Sequence, residues 1–210
     1  MAQALDDLLD SLEDADDATR EEAAKALAEL ANPATLDALI GACGDEFWSV
    51  RTRAGWGVAK IGGPKAIEAL IVLFNDPIME VRNEAVAAVV SLGAGQLDRL
   101  LAAMKDERWR VREHAAKACG DLHDSGAVDA LIFACRDRDG AVKSAAAEAL
   151  GKIGDPKAIP ALVKLFRDSS KIVRETAGIA LVAIGQPSVC LLYTSPSPRD
   201  RTRSRMPSSA

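Results

Sequence analysis

Apolar residues recur along the chain in short amphipathic blocks. In "AIPALVKLF" they fall at Ile159, Leu162, Val163 and Phe166, the i, i+3, i+4, i+7 spacing of one buried helix face. In "MEVRNEAVAAVVSLG" the inner face uses Val81, Ala85, Ala88 and Leu92, and Gly93 ends it. The two kinds of block alternate, which predicts pairs of short helices. Pro33, Pro64 and Pro156 suit the opening of first helices. Asp76 followed by Pro77 predicts the N-cap and first residue of a second helix, and Gly62, Gly154 and Gly185 repeat the glycine stop.

The pairs are in register. A basic residue recurs at Arg20, Arg51, Arg82, Arg112, Lys143 and Arg174, at intervals of 31, 31, 30, 31 and 31 residues. Six positions before each stands Asp14, Asp45, Asp76, Asp106, Asp137 or Asp168. Leu8, Leu39, Leu70, Leu100, Leu131 and Leu162 form a second column, and Ala23, Ala54, Ala85, Ala115, Ala146 and Ala177 a third. Neither helix of a pair buries its face alone, so stacked repeats must supply the core. The expected fold is all-α: a right-handed α-α superhelix of about six two-helix repeats, near 4–31, 32–62, 63–93, 94–123, 124–154 and 155–185.

Charge refines this picture. Of the formal net −5, residues 1–31 carry −8, residues 32–189 balance, and residues 190–210 carry +3. The acidic first repeat suits a solvated N-terminal cap. A neutral body disfavours nucleic acid as partner. No run of eighteen apolar residues suggests a membrane span, and the acidic start lacks the pattern of a secretory signal. Cys43, Cys119 and Cys135 are widely spaced and unpaired by motif, which predicts buried free thiols and a cytoplasmic setting.

The stretch "VKSAAAEALGKIGDPKAIPALVKLFRD" resembles HEAT repeats, specifically the short variant of phycobilisome-lyase-type HEAT proteins. The resemblance covers residues 4 to about 189 and implies a HEAT/armadillo-like solenoid that binds another protein as a scaffold. It also admits a bilin or phycobiliprotein as client, with lyase activity. A comparison with deoxyhypusine hydroxylase, a HEAT-repeat enzyme whose metal site needs several His-Glu pairs, finds only Glu113-His114, reversed and once. His114 and His123 are the only histidines, no catalytic constellation is visible, and neither cofactor nor metal is expected.

The chain's ending departs from the repeat. "CLLYTSPSPRD" resembles a translated sequencing adapter, and "SRMPSS" resembles the reading of a second one. That resemblance implies a truncated repeat at 186–189 followed by a non-native, disordered tail at 190–210, with a frayed final unit before it. The alternative is a basic Ser/Arg/Pro tail that meets acidic partners.

Candidate sites divide into three. The Asp and Arg/Lys columns suit a structural ladder, with Asp capping the second helix and the base reaching a neighbouring repeat's Asp; a functional array is the other reading. On the second helices, positions two, five and nine after the base lie off the core face, on what the resemblance implies is the concave, partner-binding surface. There Arg53, Trp56 and Lys60 form an aromatic anchor between cations, extending to His114 and Lys117, unless Trp56 folds against an adjacent repeat. In the turns, Phe47, Trp48, Arg108, Trp109 and Arg110 offer aromatics beside bases, unless each Trp packs over its own turn.

Overall fold

The computed structural model describes residues 2–185. The truncated repeat read at 186–189 and the tail at 190–210 lie outside the described residues. Twelve α-helices and no strands occur among the described residues. In order they are α1 (Ala2–Ser11), α2 (Asp17–Leu30), α3 (Leu36–Ala42), α4 (Trp48–Ile61), α5 (Pro64–Leu73) and α6 (Met79–Ser91). They continue with α7 (Leu97–Ala103), α8 (Trp109–Asp121), α9 (Val128–Ala134), α10 (Gly140–Ile153), α11 (Ile159–Leu165) and α12 (Lys171–Ile184). The shorter odd-numbered helices and the longer even-numbered ones form two layers, each helix packing on its pair-mate and each even helix also on the even helices of adjacent pairs. This is an α-solenoid.

The leucine column supplies the core between the layers. Leu39, Leu70, Leu100, Leu131 and Leu162 are fully buried, as are Leu27, Val58, Phe74, Leu150 and Leu181. Each contributes roughly 1.5–3 kcal/mol by leaving water. The alanine column lies buried on the even helices and lets their backbones come close. The closest approaches use glycine: a methyl group placed on Gly120 of α8 would stand 2.7 Å from Ala149 Cα of α10, and one on Gly151 would stand 2.9 Å from Ala180 Cα of α12. Phe166 is not buried as its spacing suggests. Leu165 takes the core position, and Phe166 lies half-exposed against Gly178.

The helix stops follow the repeat more strictly than the sequence does. Ala31, Gly62, Gly93, His123, Gly154 and Gly185 all have positive φ, one at the end of each even helix. Four glycines tolerate this freely, whereas Ala31 (φ 46°) and His123 (φ 51°) adopt it with a side chain. Four odd helices open through a 3-10 turn, two of these turns beginning at Pro33 and Pro156, while Pro64 opens α5 itself.

The Asp column does not cap the even helices. Asp76 accepts from Ile78 N at 2.8 Å, and Ile78, not Asp76, is the N-cap of α6, which begins at Met79 rather than Pro77. The same two-residue Asx turn recurs at Asp14, Asp45, Asp106, Asp137 and Asp168. A bend of two residues is needed to turn the chain from one layer to the other before helical geometry resumes. That turn leaves the carboxylates of Asp45, Asp76, Asp137 and Asp168 open to the previous repeat.

Candidate functional site

The basic column meets those carboxylates. Arg51 donates from Nε and Nη2 to Asp76 at 2.6 and 2.9 Å, while its Nη1 holds the carbonyls of Asp45 and Glu46 at 2.8 and 2.9 Å. Arg20 engages Asp45 and Arg112 engages Asp137 in the same bidentate way, and Lys143 pairs with Asp168 through one ammonium. Each of the three arginines thus ties its own inter-helix turn to the turn of the next repeat. Burial works against the charge on Asp45 and Asp137, but the guanidinium and one backbone N–H outweigh it and hold both carboxyls below their ordinary range. Hydrogen bonding to Lys143 does the same for Asp168.

One junction departs from this pattern. Arg82 holds the carbonyls of Asp76 and Pro77 through Nη1 at 2.6 and 3.0 Å, as its column-mates hold theirs. Its Nε is buried without a partner among the described residues. The carboxylate due to fill that edge, Asp106, is taken by Arg108 of its own turn, from Nε and Nη2, both at 2.9 Å. The interval from Arg82 to Asp106 is one residue shorter than at the other junctions, and α6 packs less extensively on α8 than α8 does on α10.

A groove runs over the inter-helix turns beside this junction, with a volume of about 670 Å³. Phe47, Trp48, Val72 and Ile78 line it, together with Glu46 of the second repeat and Arg108 of the fourth. Trp48 is 49% and Val72 62% exposed. Their apolar surface is therefore not used by the stack's own packing. Three of the turn residues offered as partner contacts, Phe47, Trp48 and Arg108, converge here beside Asp45, Arg51 and Asp76 of the ladder. Val72 and Ile78 were missed because aliphatic residues inside amphipathic blocks look like core. Trp109 and Arg110 sit outside the groove lining, with the Arg110 guanidinium 4.7 Å from the Trp109 ring centre.

The second-helix candidates are spread differently. Trp56 folds against the following repeat, its indole N–H donating to Glu84 at 2.9 Å, and Arg53 pairs with Glu21 at 3.2 Å. Lys60 is exposed, and Lys117 pairs with Glu113 at 2.7 Å. His114 is not a surface residue: it is 2% exposed, under Phe74, with Nδ1 2.8 Å from the Arg110 carbonyl oxygen. Position two of α8 is therefore inside, beside Phe74 at the end of α5, and the equivalent Ala145 of α10 is buried as well.

Burial pushes the thiols of Cys43, Cys119 and Cys135 up to about 12, so they stay protonated near neutrality. Among the described residues no group of three His, Cys, Asp or Glu side chains is placed to hold a metal. Nor is any described helix long and apolar enough to cross a membrane.

The family model described as HEAT repeats matches residues 5–90 and 97–189. No curated protein matches the chain. Among solved structures, a chain of the Kap95p–RanGDP complex superposes with a TM-score of 0.66 at 14% identity, over 90% of this chain and 32% of that one. Human deoxyhypusine hydroxylase with glycerol has a TM-score of 0.45 at 20% identity, over 86% and 84%. A designed armadillo repeat protein in complex with the peptide (KR)4 has a TM-score of 0.48 at 22% identity, over 86% and 99%.

Proposed function

The chain belongs to the HEAT repeat family, and from that premise we propose that it is a protein-binding scaffold whose recognition surface is the groove over the turns of its second to fourth repeats. The observation that supports this most is the set of large apolar side chains, Phe47, Trp48, Val72 and Ile78, left exposed around one concave site. Contiguous exposed apolar surface rimmed by charge is the usual mark of an interaction site, and a Trp beside an Arg is the composition of a binding hot spot. Arg53, Trp56, Lys60 and Lys117 on the even-helix face serve as a secondary contact row.

Panning a random peptide library on the purified chain tests this reading. Selected peptides should lose tenfold or more in affinity to Trp48→Ala and Ile78→Asp variants that keep wild-type helicity. Peptides indifferent to both substitutions would place recognition elsewhere.

The resemblance to phycobilisome-lyase-type repeats makes a bilin the second ligand to try, since the groove volume lies within the range of small-molecule sites. A change in bilin absorbance on mixing, lost in Trp48→Ala, would favour that alternative. The adapter reading of residues 190–210 is tested by one long sequencing read across the locus.

A further inference from the structure

We propose that Asp106 is an internal stand-in for a partner's carboxylate: an acidic residue of a docked peptide takes the Arg108 fork, and Asp106 then passes to Arg82, closing the open junction of the stack. This rests on the groove being the recognition surface and specifies the partner chemistry, a segment with a carboxylate next to an apolar side chain.

Three observations carry it. First, the chain shows three times what the Arg82 edge is shaped to hold. Arg20, Arg51 and Arg112 each present Nε and Nη2 to a carboxylate of the following repeat, at 2.6–3.1 Å. Arg82 is in the same pose, with Nη1 on its two turn carbonyls, and only the carboxylate is missing. Second, the missing carboxylate is in hand. Asp106 keeps the Asx turn of its column but spends its outer edge on Arg108, a side chain 48% exposed. An exposed pair of this kind is weakly held, whereas a buried donor without a partner carries a standing cost. Exchange of Asp106 from the first to the second is therefore favoured as soon as another anion satisfies Arg108.

Third, Arg108 is where a ligand reaches. It lines the groove together with Trp48 and Ile78. The groove thus offers apolar surface to side chains and a guanidinium to an anion. Closing Asp106 on Arg82 draws α8 onto α6, the junction where the even helices pack least. Docking and stiffening of the solenoid are then one equilibrium.

Two measurements test this. In the first, unfolding by denaturant is followed in a double-mutant cycle of Arg82→Gln and Asp106→Asn, made once in the wild-type chain and once in Arg108→Ala. Coupling between the two positions should be absent in the wild type and amount to about tenfold in the unfolding constant once Arg108 is removed. Equal coupling in both backgrounds overturns the exchange. In the second, the full chain is titrated with acetyl-Leu-Asp-Leu-amide at millimolar concentration while the Arg Nε–H resonances are watched by NMR. Those of Arg108 and Arg82 should move together, Arg82 should stay still in Asp106→Asn, and the Asn analogue of the peptide should move neither. Movement of the Trp48 indole with both Arg resonances unchanged would keep the groove as recognition surface and defeat the switch. No movement of any of the three would remove the peptide step along with the groove, leaving the cycle to decide the exchange alone.

Discussion

Arg51 and Asp76 close a buried bidentate pair across a repeat junction, 2.6 and 2.9 Å, whereas Arg82 one repeat later leaves the equivalent edge empty. The two arginines share a column, and each holds two carbonyls of its own turn through Nη1. What separates them is the one residue missing before Asp106 and the competing Arg108. The stack is therefore not uniform along its length: most junctions are clamped, and one, beside the groove, is open.

Clamped and open junctions should respond differently to loss of the acid. Asp76→Ala strands a guanidinium already buried against it and should cost about 3 kcal/mol. Asp106→Ala removes a partner of a half-exposed Arg108 and should cost under about 1 kcal/mol. Urea unfolding of the two variants checks this; equal losses would mean that Asp106 already serves Arg82 in solution.

Acid should act in two stages. Burial lowers the pKa of His114 below its ordinary 6.5, with Arg82 and Lys117 adding to the effect and the Arg110 carbonyl and Glu113 opposing it. The unfolded chain then binds the proton first, so stability falls as pH drops below about 6.5. Asp45, Asp137 and Asp168 have lowered pKa values, so their contribution is complete above about pH 4 and is lost as pH falls further through their folded values. Thermal melts between pH 3 and 8 should show both steps. His114→Phe should remove the first and leave the second.

The positive-φ column offers a stabilising change. Ala31 adopts φ 46° with a Cβ where its column-mates are mostly glycine. Ala31→Gly should raise stability by about 1 kcal/mol, as strain relief exceeds the added freedom of the unfolded chain. His123→Gly should gain less, because His123 Nδ1 lies 3.0 Å from the Lys152 carbonyl oxygen of the next repeat and that contact would be lost. Differential scanning calorimetry of the two variants orders them.

Gly120→Ala should be costly although alanine favours helix. Its methyl group would meet the backbone of Ala149 at 2.7 Å, and backbone cannot rotate away. Forcing α8 and α10 apart should cost about 1–3 kcal/mol. The same change at Gly41, where nothing stands within 4 Å, should be neutral or stabilising by several tenths of a kcal/mol. Helicity by circular dichroism with a denaturation curve separates these outcomes.

The 31-residue columns in the sequence determined the architecture. Periodic leucines and alanines announce two faces per repeat, and a face that cannot be buried within one repeat must be buried by the next. The pairing of the basic and Asp columns was legible for the same reason, since the same spacing at four of the five junctions places them alike. Tertiary structure alone decided which neighbours each side chain meets. His114 has the sequence position of a surface residue and lies inside, beside Phe74 of the preceding repeat. Trp56 turns to Glu84 while Trp48 stays exposed in a groove, although both are tryptophans beside cations. The empty edge of Arg82 follows from a single missing residue whose effect depends on where Arg108 can reach. Local pattern sets helices and their inner faces; distances between repeats, set by side-chain volume far away in the chain, set the surface a partner meets.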